Sequence, residues 1–449
     1  MPRNPAVRNR WIVVGGGILV QLGLGVIYAW PVFTLALRDA GWTRTQTQLV
    51  FSTQLATFAI VMVVAGRLLG TVGPRALALA GGLTLGLGYL AAGLSGGTSF
   101  PAVLVSVGLV GGAGIGLGYV VPIAVGMRWF PDRKGMITGI AVAGFGFGAT
   151  LWVKLADNWG HLLADHGLGG TFAIIGLVLA ALVAVGSIWM VFPPDGWKPA
   201  GRLPRPAGPP ERRAGAVEMS SEEMLRTRQY WLLMTAFALG ASAGLMAVGL
   251  LKIFPTEALS NAMHAAAAAA GGTPDHQAIA ACAGAIAGNA TAFCFPLANG
   301  LGRLAWGAVS DWLGRPRSIA AMMALQGLTM FLFPAMAGSE YLLYLGTALV
   351  GFNFGGNFAL FPAATADFFG ARNVGRNYGW IFLAYAVGGI LGPVMGGKLG
   401  DLGNFPLAFT ICGVLCLLAA TMALLLRPLA TRERRPGAVG GETGARIAT

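Results

Sequence analysis

The sequence predicts an all-α membrane protein: twelve transmembrane helices in two pseudo-symmetric six-helix bundles. Three observations carry that prediction. The 449 residues are 55% hydrophobic and only 10% charged, against about 25% charged in soluble domains. The charges cluster and leave apolar spans of about 20 residues, the length a bilayer core requires. Glycine and proline patterns also recur at one offset between the two halves of the chain.

The spans fall at 11–37, 47–69, 76–96, 102–127, 136–157, 170–192, 230–254, 279–307, 318–337, 341–365, 375–398 and 405–427. Arg3, Arg8 and Arg10 precede the first. It is too long for a signal-peptide core and shows no clear cleavage site, so it reads as a retained helix. The widest hydrophilic connection, 193–229, separates six spans from six. It divides the chain into an N-terminal bundle (1–192), a cytoplasmic linker, a C-terminal bundle (230–427) and a cytoplasmic tail (428–449). Pro204, Pro206, Pro209, Pro210, Arg212 and Arg213 predict a flexible, solvated first part of the linker. Its end, Ser220-Ser221-Glu222-Glu223, offers a capping box, and so a short interfacial helix before span seven. The alanine run 265–270 reads as a helical extension in an outer loop.

The net charge of +13 does not indicate nucleic acid, because the basic residues sit in short loops between spans. With the N-terminus inside, cytoplasmic segments hold 24 of the 30 lysines and arginines, the asymmetry that sets membrane orientation. Both termini are then cytoplasmic, in the plasma (inner) membrane. Arg38, Arg44, Lys154, Lys252 and Lys398 lie on the other side. Lys154 and Lys252 read as snorkelling to the interface, and Asp132-Arg133-Lys134, Arg372 and Arg376 as solvated topology signals. The four histidines fall in outer loops and are assigned no proton-carrying role. The four cysteines lie in apolar spans without metal or disulfide spacing, as small apolar filler. No metal and no cofactor are expected.

The repeat is specific. Gly66 and Gly73 align with Gly307 and Gly314 at an offset of 241. Pro122 and Pro362, Gly135 and Gly375, and Gly139 and Gly379 align at 240. Two such halves suit alternating access, with substrate held near the midplane between them. Gly144/Gly148 and Gly388/Gly392/Gly396 recur every four residues on equivalent spans, spacing that lets helices pack closely.

One cation remains inside the membrane. Arg303 lies about two turns before the loop after span eight, and burying it costs ~3 kcal/mol on insertion scales. The acids lie at the span ends or beyond, and none lies deep in a span to neutralise it. A planar guanidinium offers two parallel donors to a carboxylate. Asn299, four residues earlier, shares its helix face, where it either adds an amide donor or orients the guanidinium. Tyr28, Tyr119, Phe354, Phe358 and Tyr385 come from spans one, four, ten and eleven. Aromatic walls would exclude water around a small acid, with tyrosine hydroxyls reaching its polar end.

Gly307-x-x-x-Asp311-x-x-Gly314-Arg315 resembles the loop motif of the major facilitator superfamily, a likeness that extends along most of the chain. The resemblance implies that Asp311 caps and pairs across the cytoplasmic gate. In the N-terminal copy Gly70 replaces the acid. A narrower likeness is to the oxalate/formate antiporter family and its monocarboxylate-transporter relatives. Gly25-Val26-Ile27-Tyr28-Ala29-Trp30-Pro31-Val32-Phe33, Ser242-Ala243-Gly244-Leu245-Met246, Asn299-x-x-x-Arg303 and Phe354/Phe358 carry it. It implies that Arg303 binds the substrate carboxylate. Animal-type monocarboxylate transporters resemble this chain but carry an acid tied to proton coupling where Asn299 stands. Oxalate carriers of the family place a lysine where this chain has Ala384-Tyr385, so one cation instead of two favours a monocarboxylate.

The expected function is a secondary carrier of a small monocarboxylate such as lactate, pyruvate or formate, by proton symport or anion exchange. The alternatives are an oxalate or dicarboxylate exchanger, another major facilitator carrier, or a membrane sensor of organic acids. A sensor usually needs a soluble domain, and the 37-residue linker and 22-residue tail are too short for one. No nucleophile–base pair, metal cluster or phosphate loop points to an enzyme. Expected partners are the substrate, a proton or counter-anion and the bilayer, with the protein a monomer.

Overall fold

The computed structural model describes residues 9–156, 160–194, 197, 218–271 and 275–427. The solvated part of the linker and the tail lie outside the described residues. Among those described there are helices and no strands. The twelve long helices are α1 (10–39), α2 (Arg44–Leu68), α3 (Pro74–Leu94), α4 (Phe100–Trp129), α5 (Lys134–Ala156), α6 (Leu162–Ser187), α7 (Arg228–Leu250), α8 (His276–Leu313), α9 (Arg315–Met336), α10 (Glu340–Phe369), α11 (Val374–Asp401) and α12 (Phe405–Leu424). Eleven are long and apolar enough to cross a membrane on length and composition alone. The twelfth, α10, is the most protein-enclosed helix; Thr347, Asn353, Asn357 and Thr365 are buried along it. Protein rather than lipid surrounds those groups, so the helix need not be apolar.

Local chemistry explains the breaks. In α1 the chain passes through a 3-10 turn at Gly25–Ala29 before Trp30 restarts the helix. Pro122 and Pro362, the matched prolines, lie inside α4 and α10. Each removes one backbone donor, which neighbouring helices make tolerable in a membrane span. The stretch expected to be a charged loop after span eight is tighter than that. Helix α8 continues through Asp311 to Leu313, and Gly314 alone turns the chain, at φ 89°. Two elements outside the spans also form. Ser220 and Glu223 close a capping box on Ser221–Leu225, and Ser220 holds the Glu223 carboxyl below its usual range. Ile253–Ala269 is a helix that carries the alanine run.

The glycine repeats show why the halves match. Gly144 and Gly148 of α5 lie on the backbone of Ile18 and Leu22 in α1. Gly388 and Gly392 of α11 lie on Ala241 and Ser242, and Gly396 on Met246, all in α7. The same relation recurs between the halves. Gly307 meets Gly135 where α8 crosses α5, and Gly66 meets Gly375 where α2 crosses α11. One step further, Gly139 abuts the Arg303 carbonyl and Gly379 abuts that of Met62. At an offset of 241, Met62 is therefore the counterpart of Arg303, and Phe58 that of Asn299.

Candidate functional site

Helix α8 places Arg303 at the centre of the α5–α8 crossing, with no solvent exposure. Its neighbours let it sit there. Gly302 and Gly355 bring the α8 and α10 backbones into contact at Phe352 and Asn299. Gly146 of α5 clears the space beside the guanidinium. A Cβ there would lie 3.3 Å from Asn299 Oδ1 and 3.4 Å from Arg303 Nε.

The guanidinium is held on three sides. Its Nε donates to Asn299 Oδ1 at 3.0 Å, so Asn299 orients the fork rather than merely lining the site. Its Nη1 donates to the Val142 carbonyl of α5 at 2.7 Å. Its carbon lies 4.4 Å from the Phe358 ring centre and 5.8 Å from that of Phe145, geometry in which a desolvated cation is attracted to the ring. Nη2 is buried and has no hydrogen-bond partner. An unmet donor on a buried charge is costly, and this one is suited to an anion. Among the described residues no carboxylate pairs with Arg303.

The aromatic residues gather around it. Tyr28 and Tyr385 join hydroxyl to hydroxyl at 3.1 Å, from opposite halves. Phe354 packs on Phe358 at 5.6 Å, and Phe358 on Tyr385 at 5.2 Å. Tyr119 is fully buried, its backbone carbonyl accepting from Gln21 of α1. Its hydroxyl has no partner. All seven residues singled out from the sequence thus belong to one cluster. Tyr28, Tyr119 and Tyr385 lie within electrostatic reach of Arg303. Trp30 is apart: its Nε1 donates to Thr47 O and its ring packs on Phe33.

Sequence reasoning missed five contributors. Phe58, Phe145 and Phe382 complete the wall around Tyr119, at 5.1, 5.1 and 5.5 Å. Tyr378, fully buried with an unpartnered hydroxyl, also lies within electrostatic reach of Arg303. Val142 supplies its carbonyl. Signals existed: Tyr378 precedes Tyr385 by two turns, and Phe145 and Val142 are the repeat counterparts of Tyr385 and Phe382 at an offset of 240.

A second polar cluster lies at the end of the bundle nearer residues 9 and 427, hereafter the terminal end. Asp311 accepts from the Gly135 and Met136 amides, each at 2.8 Å, at the N-terminus of α5 in the other half. Those donors have no partner within their own helix, and a carboxylate there also meets the positive end of the helix dipole. Arg315 donates to Asp311 at 2.8 Å, to Asp367 at 2.6 Å and to the Ser310 hydroxyl. Lys134 crosses from the first half to Asp367 at 2.9 Å. Gly307 and Gly314 provide the close approach and the turn already described. The pseudo-symmetric position, Gly70, carries no acid. There, Arg128 Nη2 donates to the Arg372 carbonyl at 2.6 Å, and Glu218 of the linker accepts the Arg372 amide at 3.1 Å.

Comparison with known proteins decides the family. The model of the Major Facilitator Superfamily matches residues 14–288 and 283–448, which together span most of the chain. The chain belongs to the Major Facilitator Superfamily. This major facilitator protein is 30% identical to an uncharacterised MFS-type transporter, YhjX, of Escherichia coli, over 85% of its own length and 86% of that protein's. It is 27% identical to the oxalate:formate antiporter of Oxalobacter formigenes, over 94% and 92% of the two chains. Among solved structures, the fucose:proton symporter of Escherichia coli superposes with a TM-score of 0.65, covering 93% of this chain and 98% of that one. At 14% identity that match concerns the fold alone. The protein is a multi-pass membrane transporter of this superfamily.

Proposed function

We propose that the protein carries small monocarboxylates of the lactate, pyruvate and formate class across the plasma membrane by alternating access, with Arg303 as the seat of the carboxylate. One observation carries this reading: a fully buried guanidinium between the two halves, paired with no acid among the described residues, keeps an unpartnered donor in a cluster that also holds the unpartnered hydroxyls of Tyr119 and Tyr378. The carboxylate takes Nη2, and the hydroxyls of Tyr119 and Tyr378 supply further donors. Tyr28 and Tyr385 close over it from opposite halves. Phe354 and Phe358, with Phe145, form the dry wall that strengthens the ion–ion contact. The likeness to an oxalate:formate antiporter supports an organic-anion substrate. The absence of a second cation beside Arg303 favours one carboxylate over two.

Asp311 and Arg315, with Gly307 and Gly314, form the gate of the terminal end, and the distribution of lysine and arginine supports a cytoplasmic side for that end. Opening that end requires Asp311 to leave the α5 N-terminus and Lys134 to leave Asp367. The six-helix units 1–192 and 230–427 are the moving bodies. Position 299 is an asparagine and among the described residues no carboxylate pairs with Arg303, which supports a reading in which a proton that accompanies the anion travels on the substrate.

The direct test is uptake by proteoliposomes offered mono- and dicarboxylates, with and without a pH gradient or an internal counter-anion. Saturable monocarboxylate uptake that Arg303→Gln removes is the expected result. Equal or better transport of oxalate would replace this reading with that of a dicarboxylate exchanger. Tyr385→Lys, which brings a second cation to α11 beside the site, is expected to move preference toward dicarboxylates. An unchanged substrate profile in that variant would count against Tyr385 as a site residue.

A further inference from the structure

Two of the five N–H donors of Arg303 are met within the protein, and the group that meets one of them across the interface is a main-chain carbonyl. Val142 lies in mid-helix in α5, so its oxygen already serves the α-helical ladder, whose partner four residues on is Gly146. A carbonyl has a second lone pair. That lone pair is reached by Arg303 Nη1, at 2.7 Å, from the opposite half. Gly146 lies beside that contact: a Cβ there would come to 3.3 Å from Asn299 Oδ1 and 3.4 Å from Arg303 Nε, and a larger side chain would crowd the guanidinium.

We propose that the Val142 carbonyl is a resident stand-in for the substrate carboxylate, and that it allows the carrier to change sides unloaded. The proposal rests on Arg303 being the carboxylate seat. A buried cation with no acceptor is prohibitively costly. A carrier with such a cation closes only when an anion is aboard, and is confined to exchange. Here Asn299 Oδ1, the Val142 oxygen and the faces of Phe358 and Phe145 take up the charge. The two halves therefore close around it without a passenger, and net transport proceeds. The incoming carboxylate claims both Nη1 and Nη2 to use the fork. It must displace the Val142 oxygen, and this undoes a contact between α8 and α5 at the moment of loading. Val142 and Gly146 are thus positioning residues: they act through Arg303.

The experiment compares two fluxes of labelled formate or lactate from proteoliposomes of the full chain, with the membrane voltage clamped by potassium and valinomycin. One is efflux into anion-free buffer; the other is efflux into buffer holding the same anion at saturation. In the natural protein the two rates should agree within about threefold. In Gly146→Val, which crowds the guanidinium and so loosens its hold on Val142, net efflux should fall about tenfold further than exchange, the factor expected for weakening one charge-assisted hydrogen bond. Gly146→Ala, with its smaller intrusion, should show the same split to a lesser degree. It also serves if the valine variant fails to fold. Exchange about thirtyfold faster than net efflux in the natural protein overturns the proposal. Equal slowing of both fluxes in a folded Gly146 variant overturns it too. Absence of any carboxylate flux is a separate outcome, which removes the Arg303 seat itself.

Discussion

Replacing Arg303 by lysine is expected to lower monocarboxylate uptake about a hundredfold with the protein still folded. Lysine keeps the charge and a cation's attraction to the Phe358 ring, but loses two things seen around the guanidinium. The Nε bond to Asn299 fixes its plane. The parallel pair of donors requires a fork. A hydrogen bond to a charged group contributes about 1.5–3 kcal/mol, so two compromised bonds account for about 3 kcal/mol, or about two decades in affinity. The ammonium is also flexible enough to seek a different acceptor, which leaves the substrate unpaired. Initial uptake rates in proteoliposomes, normalised to folded protein by thermal melting, measure the effect. Uptake near the natural level in Arg303→Lys would remove the arginine from the binding site.

The second large effect concerns the gate. Asp311→Ala is expected to shift the carrier about a hundredfold toward the form open at the terminal end. The alanine frees the Gly135 and Met136 amides and deprives Arg315 of one of its two carboxylates. Two charge-assisted bonds across the halves amount to ~3 kcal/mol, and both must break whenever that end opens. Arg315 keeps Asp367, so the variant should loosen the interface and not unfold it. Spin labels at the exposed positions 133 and 317 read the separation of the start of α5 from the start of α9. A distance distribution identical to that of the natural protein would show that the cap does not hold the gate. The copy at Gly70 gives an internal comparison: with no acid there, Gly70→Ala should leave the same distribution untouched.

Much of this architecture was legible because it follows from apolar length and repetition. Twelve spans were visible from charge-free stretches, and the repeat offset matched glycines that prove to touch across the halves. Gly307 and Gly135, at positions equivalent to Gly66 and Gly375, are the clearest case. Arg303 and Asn299 were legible because a charge in an apolar span has few reasons to exist. Val142 was not, because a main-chain carbonyl leaves no mark in a sequence; only Gly146 beside it does, in a chain with 70 glycines. Phe58, Phe145 and Phe382 look like ordinary lipid-facing or core residues until the helices are assembled. The tight turn at Gly314 was read as a loop because charged residues cluster there. In fact those charges face one another along helix ends.

The pairing of Met62 with Arg303 bears on how such a molecule can be rebuilt. A complex made from two copies of the second half would set two guanidinium ions against each other at the centre, and mutual repulsion would hold it apart. Two copies of the first half would assemble around methionine and phenylalanine, and offer an anion no welcome. Only the unlike pairing joins a charge to a neutral socket. A designer recombining these halves must therefore retain one of each.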